Sequence, residues 1–287
     1  MVNIFISASL FMLIANSFSL IYYPTKIFHL AHAGIITLGA YLVYFFQSKY
    51  SIPLFLSIPL SIIFSSTIGA FFEISVYNPM RKKKSPLLLF LIASIGLYVV
   101  VQNCISICWG NYAKSINPSE ISTGNNFFGA YITNNQIIII FVSFSLFLIV
   151  NIFLNYSMLG KSIRAVSSNS NLCNIYGISS NKTILIAFII GSSLAAITGI
   201  LSALDTNMTP TFGFNILLYG IVAMIIGGIG NPWGLLGGSF LLAAVQHIGA
   251  YYIDTKWMDA IAYIILILFL VWKPLGFSGK QLKKVEI

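Results

Sequence analysis

With 287 residues, 58% hydrophobic and only 7% charged, and a mean hydropathy of +0.92, this chain cannot cover a soluble surface, since soluble domains are roughly a quarter charged. The formal charge of +9, from fifteen Lys and Arg against six Asp and Glu, is distributed between apolar runs rather than on one polar face, which excludes a nucleic-acid binder. Composition therefore predicts an all-α polytopic membrane protein, one transmembrane domain over residues 1–287.

In chain order, apolar segments of spanning length fall at 3–22, 33–48, 54–73, 87–108, 136–155, 183–204, 215–230, 233–250 and 259–272, so about 8–9 hydrophobic segments are expected. The first has no basic n-region or small-residue cleavage site before it and is expected to be retained as a span. Two segments are short or broken. The second begins with the polar interruption His29-Leu30-Ala31-His32, and the seventh runs for about a dozen apolar residues into Gly227-Gly228-Ile229-Gly230-Asn231-Pro232. Helices that stop inside a bilayer are tolerated where protein or a water-filled cavity satisfies their backbone. His29, His32, Gly34 and Thr37, with Gly227, Gly228 and Gly230, are therefore the candidate translocation residues, the two breaks being expected to relate by an inverted repeat.

Nine crossings put the termini on opposite sides. With the C-terminus in the cytoplasm, twelve basic residues lie inside (Lys26, Arg81, Lys82, Lys83, Lys84, Lys161, Arg164, Lys182, Lys273, Lys280, Lys283 and Lys284). Only Lys49, Lys114 and Lys256 lie outside, which accounts for all fifteen. Lys and Arg favour the cytoplasmic side, so the N-terminus is expected outside. Of the acids, Glu120, Asp205, Asp254 and Asp259 fall outside, and Glu73 and Glu286 inside.

Few ionisable groups lie within the spans. Ion-coupled carriers keep carboxylates or histidines at mid-membrane, and here Glu73 and His247 alone come near. Glu73 reads as a partner for the basic run Arg81–Lys84, and His247 as a hydrogen-bonded structural residue. No catalytic, cofactor or metal-ligand constellation is present: Cys104, Cys108 and Cys173 form no ligand pattern, the first two reading as small packing residues. Gly160-Lys161-Ser162 ends like a phosphate loop but has Asn155 where the first glycine is required. Gly191, Ala195 and Gly199 repeat every fourth residue, which allows close helix packing. Gly230, Gly234 and Gly238 repeat likewise, but beside Pro232 they predict a sharp turn or a re-entrant tip rather than plain packing.

A chain with neither a nucleotide site nor a mid-membrane acid needs an external motor. The segment 156–182, closed by Ile175-Tyr176-Gly177-Ile178, is the longest polar interruption on the predicted cytoplasmic side. It reads as a coupling loop, with Gly160, Lys161, Arg164, Ala165 and Gly177 as its candidate residues, and with Ile163, Val166, Leu172 and Ile175 as one apolar face for a groove.

Seven colinear blocks carry a family resemblance: Leu20-Ile21-Tyr22; His29 to His32 with Leu38-Gly39-Ala40-Tyr41; Glu73 with Val76 to Arg81; Ala93 to Leu97 with Gln102-Asn103; Gly160 to Ala165 with Tyr176-Gly177-Ile178; Gly227 to Gly230 with Gly234 and Gly237-Gly238; and Asp259-Ala260-Ile261 with Lys273 to Gly276. In this order they resemble the permease subunit of bacterial branched-chain amino-acid ABC importers, specifically the shorter of the two partner permeases. His29 stands where that family usually has Asn, and Ala33 and Gly34 where it has Gly and often an acid. Ser167-Ser168-Asn169-Ser170-Asn171 lacks the usual acids of the coupling loop. The resemblance implies a non-catalytic subunit of the bacterial inner membrane. Its implied partners are a second permease, two cytoplasmic ATPases and an external binding protein that delivers leucine, isoleucine or valine. Alternative cargoes for the same fold are urea, short amides or a sugar; the alternative class is an ion-coupled carrier.

Overall fold

The computed structural model describes residues 2–116, 124–127, 130–273 and 276–277. Glu120, Glu286 and the lysines at 280, 283 and 284 lie outside them, as do residues 274 and 275. The helices are α1 (Val2–Thr25), α2 (His32–Tyr50), α3 (Leu54–Phe72), α4 (Asn78–Lys82), α5 (Leu87–Trp109), α6 (Asn134–Tyr156), α7 (Met158–Ser168), α8 (Ser170–Ile175), α9 (Ser180–Asp205), α10 (Phe212–Gly227), α11 (Pro232–Tyr252) and α12 (Met258–Trp272). A π-helical turn, Glu73–Tyr77, joins α3 to α4, and a short antiparallel hairpin, β1 (Asn125–Phe127) with β2 (Ala130–Ile132), precedes α6.

Among the described residues, seven helical stretches are long and apolar enough to cross a membrane, with α10 as a shorter apolar helix of 16 residues. A helix lies at each of the nine expected segments, the seventh ending at Gly227 instead of 230, and the protein is a multi-pass α-helical membrane protein. The two anticipated breaks, before His32 and after Gly227, are where α2 begins and α10 ends. Outward faces are apolar, as on α3 (Phe55, Ile63, Phe71), α5 (Leu88, Val100, Ile107) and α6 (Phe141, Ile149, Ile152). Cys104 and Cys108 belong to that outward surface of α5 and are exposed, which corrects their expected role as packing residues; only Cys173 is buried. The error arises because an all-round apolar helix gives no periodic signal of which side is inside.

The described residues divide into two compact units, one within 20–117 and 152–217, the other within 1–19, 118–151 and 218–281. In the first, α9 is the central helix and packs on both α2 and α3. Small residues permit this. A Cβ on Gly199 would lie 2.0 Å from the Ile36 carbonyl oxygen, and one on Gly39 2.7 Å from the Ala196 Cα. Without a hydrophobic force between helices in lipid, such backbone approach supplies the packing energy. Gly199→Val should therefore destabilise the protein by about 1–3 kcal/mol or more, read as loss of monodisperse protein on size exclusion in detergent.

In the second unit, α11 and α12 form a hairpin. Polar contacts support it: the Tyr219 hydroxyl donates to the exposed Asp259 carboxylate, and the buried Gln246 donates through Nε2 to the Met258 carbonyl at 3.2 Å. His247 Nε2 shares a 2.8 Å hydrogen bond with Ser7 Oγ, the structural role expected of it.

Candidate coupling element and translocation residues

The expected coupling loop is two short helices held on the end of a longer one. The Ser157 hydroxyl caps α7, accepting from Gly160 N at 2.9 Å, which satisfies one of the free amides of the first turn. Gly160 is where α7 turns back over the end of α6: a Cβ there would meet the Phe153 carbonyl oxygen at 2.3 Å and the Leu154 Cα at 2.5 Å. Ile163 (1% exposed) and Val166 (2%) are buried, Ile163 with Leu20 and Ala187 and flanked by Phe153, Leu154 and Ile190.

The chain breaks at Asn169, whose extended backbone (φ −158°, ψ 103°) ends α7 and whose side chain caps α8 by accepting from Leu172 N at 2.9 Å. Gly177 closes α8 in the left-handed region (φ +79°), with Gly177 N bonded to the Asn174 carbonyl and Ile178 N to the Cys173 carbonyl. This double-bonded cap needs positive φ. Nothing lies within 4 Å of a Cβ added at Gly177, so its backbone conformation, not space, explains the glycine. Asn174 Oδ1 accepts from Ser180 N at 3.0 Å, and Ser180 Oγ donates to the Ser170 carbonyl at 2.9 Å, fixing α8 to the start of α9.

The expected single apolar face is thus split. Ile163 and Val166 face the interior, whereas Leu172 (50%), Ile175 (80%) and Tyr176 (77%) are exposed. The uniform helical spacing of the four predicted residues concealed the phase change at Asn169, which resets which side each helix presents. Lys161 and Arg164 are exposed and Ala165 is half-buried. Arg164 reaches back to Asn155, with Nη2 at 3.4 Å from its carbonyl and Nη1 at 3.5 Å from Oδ1.

The first break lies in the same unit. Lys26 ends α1 in the left-handed region (φ 58°), and its ammonium donates to the Tyr23 carbonyl at 2.7 Å and sits over the Tyr23 ring. Burial pushes this ammonium down to about 8. His29 is fully buried: Nδ1 lies 2.7 Å from the Tyr77 hydroxyl, and its ring packs against His32, Tyr77 and Phe188 with centroids 5.1–5.5 Å apart. Ser94 Oγ donates to the Phe28 carbonyl at 3.0 Å, tying the break to α5. Gly34 gives room to Val101, since a Cβ would stand 3.0 Å from it. Thr37 Oγ1 donates to the Ala33 carbonyl at 3.0 Å, and Gly213 closes over both residues.

The π-helical turn makes the His29–Tyr77 contact possible. Ser57, Ser61, Ser65, Gly69, Glu73 and Tyr77 are all buried and fall four apart. Four residues overshoot a turn of α-helix by about 40°, so such a row would drift off the interior. The wider π turn returns the last two positions to it. Glu73 there accepts from Arg81 Nη2, the expected neutralisation.

The second break is a tight turn in the other unit. Gly228 (φ 90°) and Gly230 (φ 82°) flank Ile229, and Asn231 caps α11 by accepting from Trp233 N at 3.1 Å, with Pro232 at the first helical position. Helices α10 and α11 touch backbone to backbone: a Cβ on Gly227 would lie 2.3 Å from the Gly234 carbonyl oxygen, and one on Gly238 2.4 Å from that of Ala223. The predicted sharp turn is present, and the same glycines also serve packing. Phe277 N donates to the Ile226 carbonyl at 3.0 Å, so the chain after α12 returns to this turn.

Comparison with known proteins agrees with this architecture. The chain is 29% identical over 301 residues to the high-affinity branched-chain amino acid transport system permease protein BraD of Pseudomonas aeruginosa, covering 99% of this chain and 97% of that one. It is 27% identical over 294 residues to the permease protein LivH of Salmonella typhimurium, covering 96% and 94%, and 29% identical over 231 residues to LivH of Escherichia coli, covering 78% and 74%. Residues 1–270 match the family described as branched-chain amino acid transport system, permease component. Matched over nearly its whole length and built from the helices such a subunit requires, the chain belongs to that permease family.

Proposed function

We propose that this chain is the non-catalytic membrane subunit of an ATP-driven importer and forms, with a second permease, the path for branched-chain amino acids. Two cytoplasmic ATPases would power it, and an external binding protein would deliver the cargo. The carrying observation is the near full-length family match, joined by a structured element at 156–182 whose exposed Leu172, Ile175 and Tyr176 suit a groove on a motor subunit. In this reading the protein lies in a bacterial cytoplasmic membrane with 156–182 and the C-terminus inside and the N-terminus outside, as the basic residues favour. Gly160, Lys161, Arg164, Ala165 and Gly177 shape the coupling element. His29, His32, Gly34 and Thr37 at one break, and Gly227, Gly228 and Gly230 at the other, shape the path.

Tagging this chain and purifying it from its native membrane should bring down two ATPase subunits and a second permease. In liposomes, that complex with its binding protein should take up leucine, isoleucine or valine only when ATP is supplied on the side bearing α7 and α8. Uptake by the chain alone under a proton or sodium gradient would overturn the reading.

A further inference from the structure

The basic run at the end of α4 is more than a topology marker. Arg81 is held by Glu73, whereas Lys82, Lys83 and Lys84 are exposed, and no ion pair to them is present among the described residues. All three occupy one turn. Lys84 adopts φ 52°, its amide bonded to the Arg81 carbonyl at 3.0 Å, and Ser85 N bonds back to the Met80 carbonyl at 3.1 Å. Three like charges on consecutive residues repel, so anions from outside the chain stabilise the arrangement.

The flanking residues identify those anions. Before the turn, Phe71 and Ile74 are exposed, and after it come the exposed Leu87, Leu88 and Leu89. These apolar side chains face outward on helices that cross the membrane, so acyl chains surround them. Lys82 follows Ile74 by eight residues, about 12 Å of helix, and Leu87 comes three residues after Lys84. The turn therefore lies at the depth of the lipid phosphates, within reach of long lysine stems. We infer that the Lys82–Lys84 turn is a binding site for the headgroup of an anionic phospholipid whose acyl chains lie against Phe71, Ile74 and Leu87–Leu89. A lipid satisfies both the charge and the apolar flank, whereas a soluble anion satisfies only the charge.

Native mass spectrometry of the full-length chain, titrated with phosphatidylglycerol and with phosphatidylcholine, tests this. The parent should bind phosphatidylglycerol at least several-fold more tightly, and raising salt should erase the preference. Lys82→Gln/Lys83→Gln/Lys84→Gln should lose it, whereas Lys82→Arg/Lys83→Arg/Lys84→Arg should keep it. Should the Gln variant not insert or fold, the parent's salt dependence and the Arg variant carry the test. Equal binding of the two lipids by the parent, a preference indifferent to salt, or full competition by inorganic phosphate would each overturn the assignment. So would a Gln variant with undiminished preference. If it were instead less stable to the same degree in either lipid, the lysines would only be offsetting the dipole at the helix end.

Discussion

Glu73→Ala is expected to be among the most damaging single substitutions outside the glycine contacts. Glu73 is 1% exposed and takes the guanidinium of Arg81, which is itself largely enclosed. Removing the acid strands a cation in a medium that cannot solvate it, at a cost of about 3–5 kcal/mol. It also removes the inward anchor of the π turn, so Glu73 to Lys82 should relax toward regular α-helix. Tyr77 would then be carried away from His29. Glu73→Ala should show as a large fall in melting temperature in detergent and as faster hydrogen exchange across 73–82. Glu73→Leu combined with Arg81→Met, which removes both charges, should recover much of the loss. If Glu73→Ala melted with the parent, or the double variant were worse than the single, the ion pair would not be what holds this turn.

The helices were legible in the sequence because hydropathy reports the solvent directly, and in a bilayer each span must be apolar over its whole length. Both breaks were legible for a similar reason. Pro232 cannot continue a helix, and Gly227-Gly228-Ile229-Gly230 supplies the positive φ that the turn uses at Gly228 and Gly230. The pairing of Glu73 with Arg81 was visible because an acid near a basic run has few alternatives.

What stayed hidden depends on orientation within an apolar chain. Cys104 and Cys108 fall on an outward face that no polar residue marks. The π turn has no composition of its own; only the row of serines at every fourth position, continued to Glu73 and Tyr77, shows that a plain α-helix would twist out of place. Tyr77 and Phe188, which enclose His29, come from the π turn and from α9, far along the chain. The histidine could be named as a candidate path residue, but what surrounds it could not, because its partners lie outside any local window. The β1–β2 hairpin has strands of three residues each, too short for alternation to register.

The other large effect should come from α8. Leu172→Glu combined with Ile175→Glu is expected to leave the protein folded and inserted yet abolish ATP-dependent uptake, because both side chains are already exposed and contribute little to the fold. An apolar anchor in a partner groove contributes about 2 kcal/mol or more, roughly 30-fold in affinity for each such residue. A carboxylate there would also carry an unpaired charge into the contact. Arg164→Glu should act in the same direction, either releasing the ATPases or leaving them bound but unresponsive to loaded binding protein. Its effect includes loss of the Asn155 contacts, so it is the less clean probe. Ile163→Glu, buried with Leu20 and Ala187, should instead destroy the folded protein. The comparison separates docking from folding: subunit retention and stimulated hydrolysis, measured on purified complexes with normal melting temperatures, should fall for the α8 variant. Were both quantities to match the parent, α8 would not be the contact, and the turn at Arg81–Lys84 would be the next segment to test for the motor.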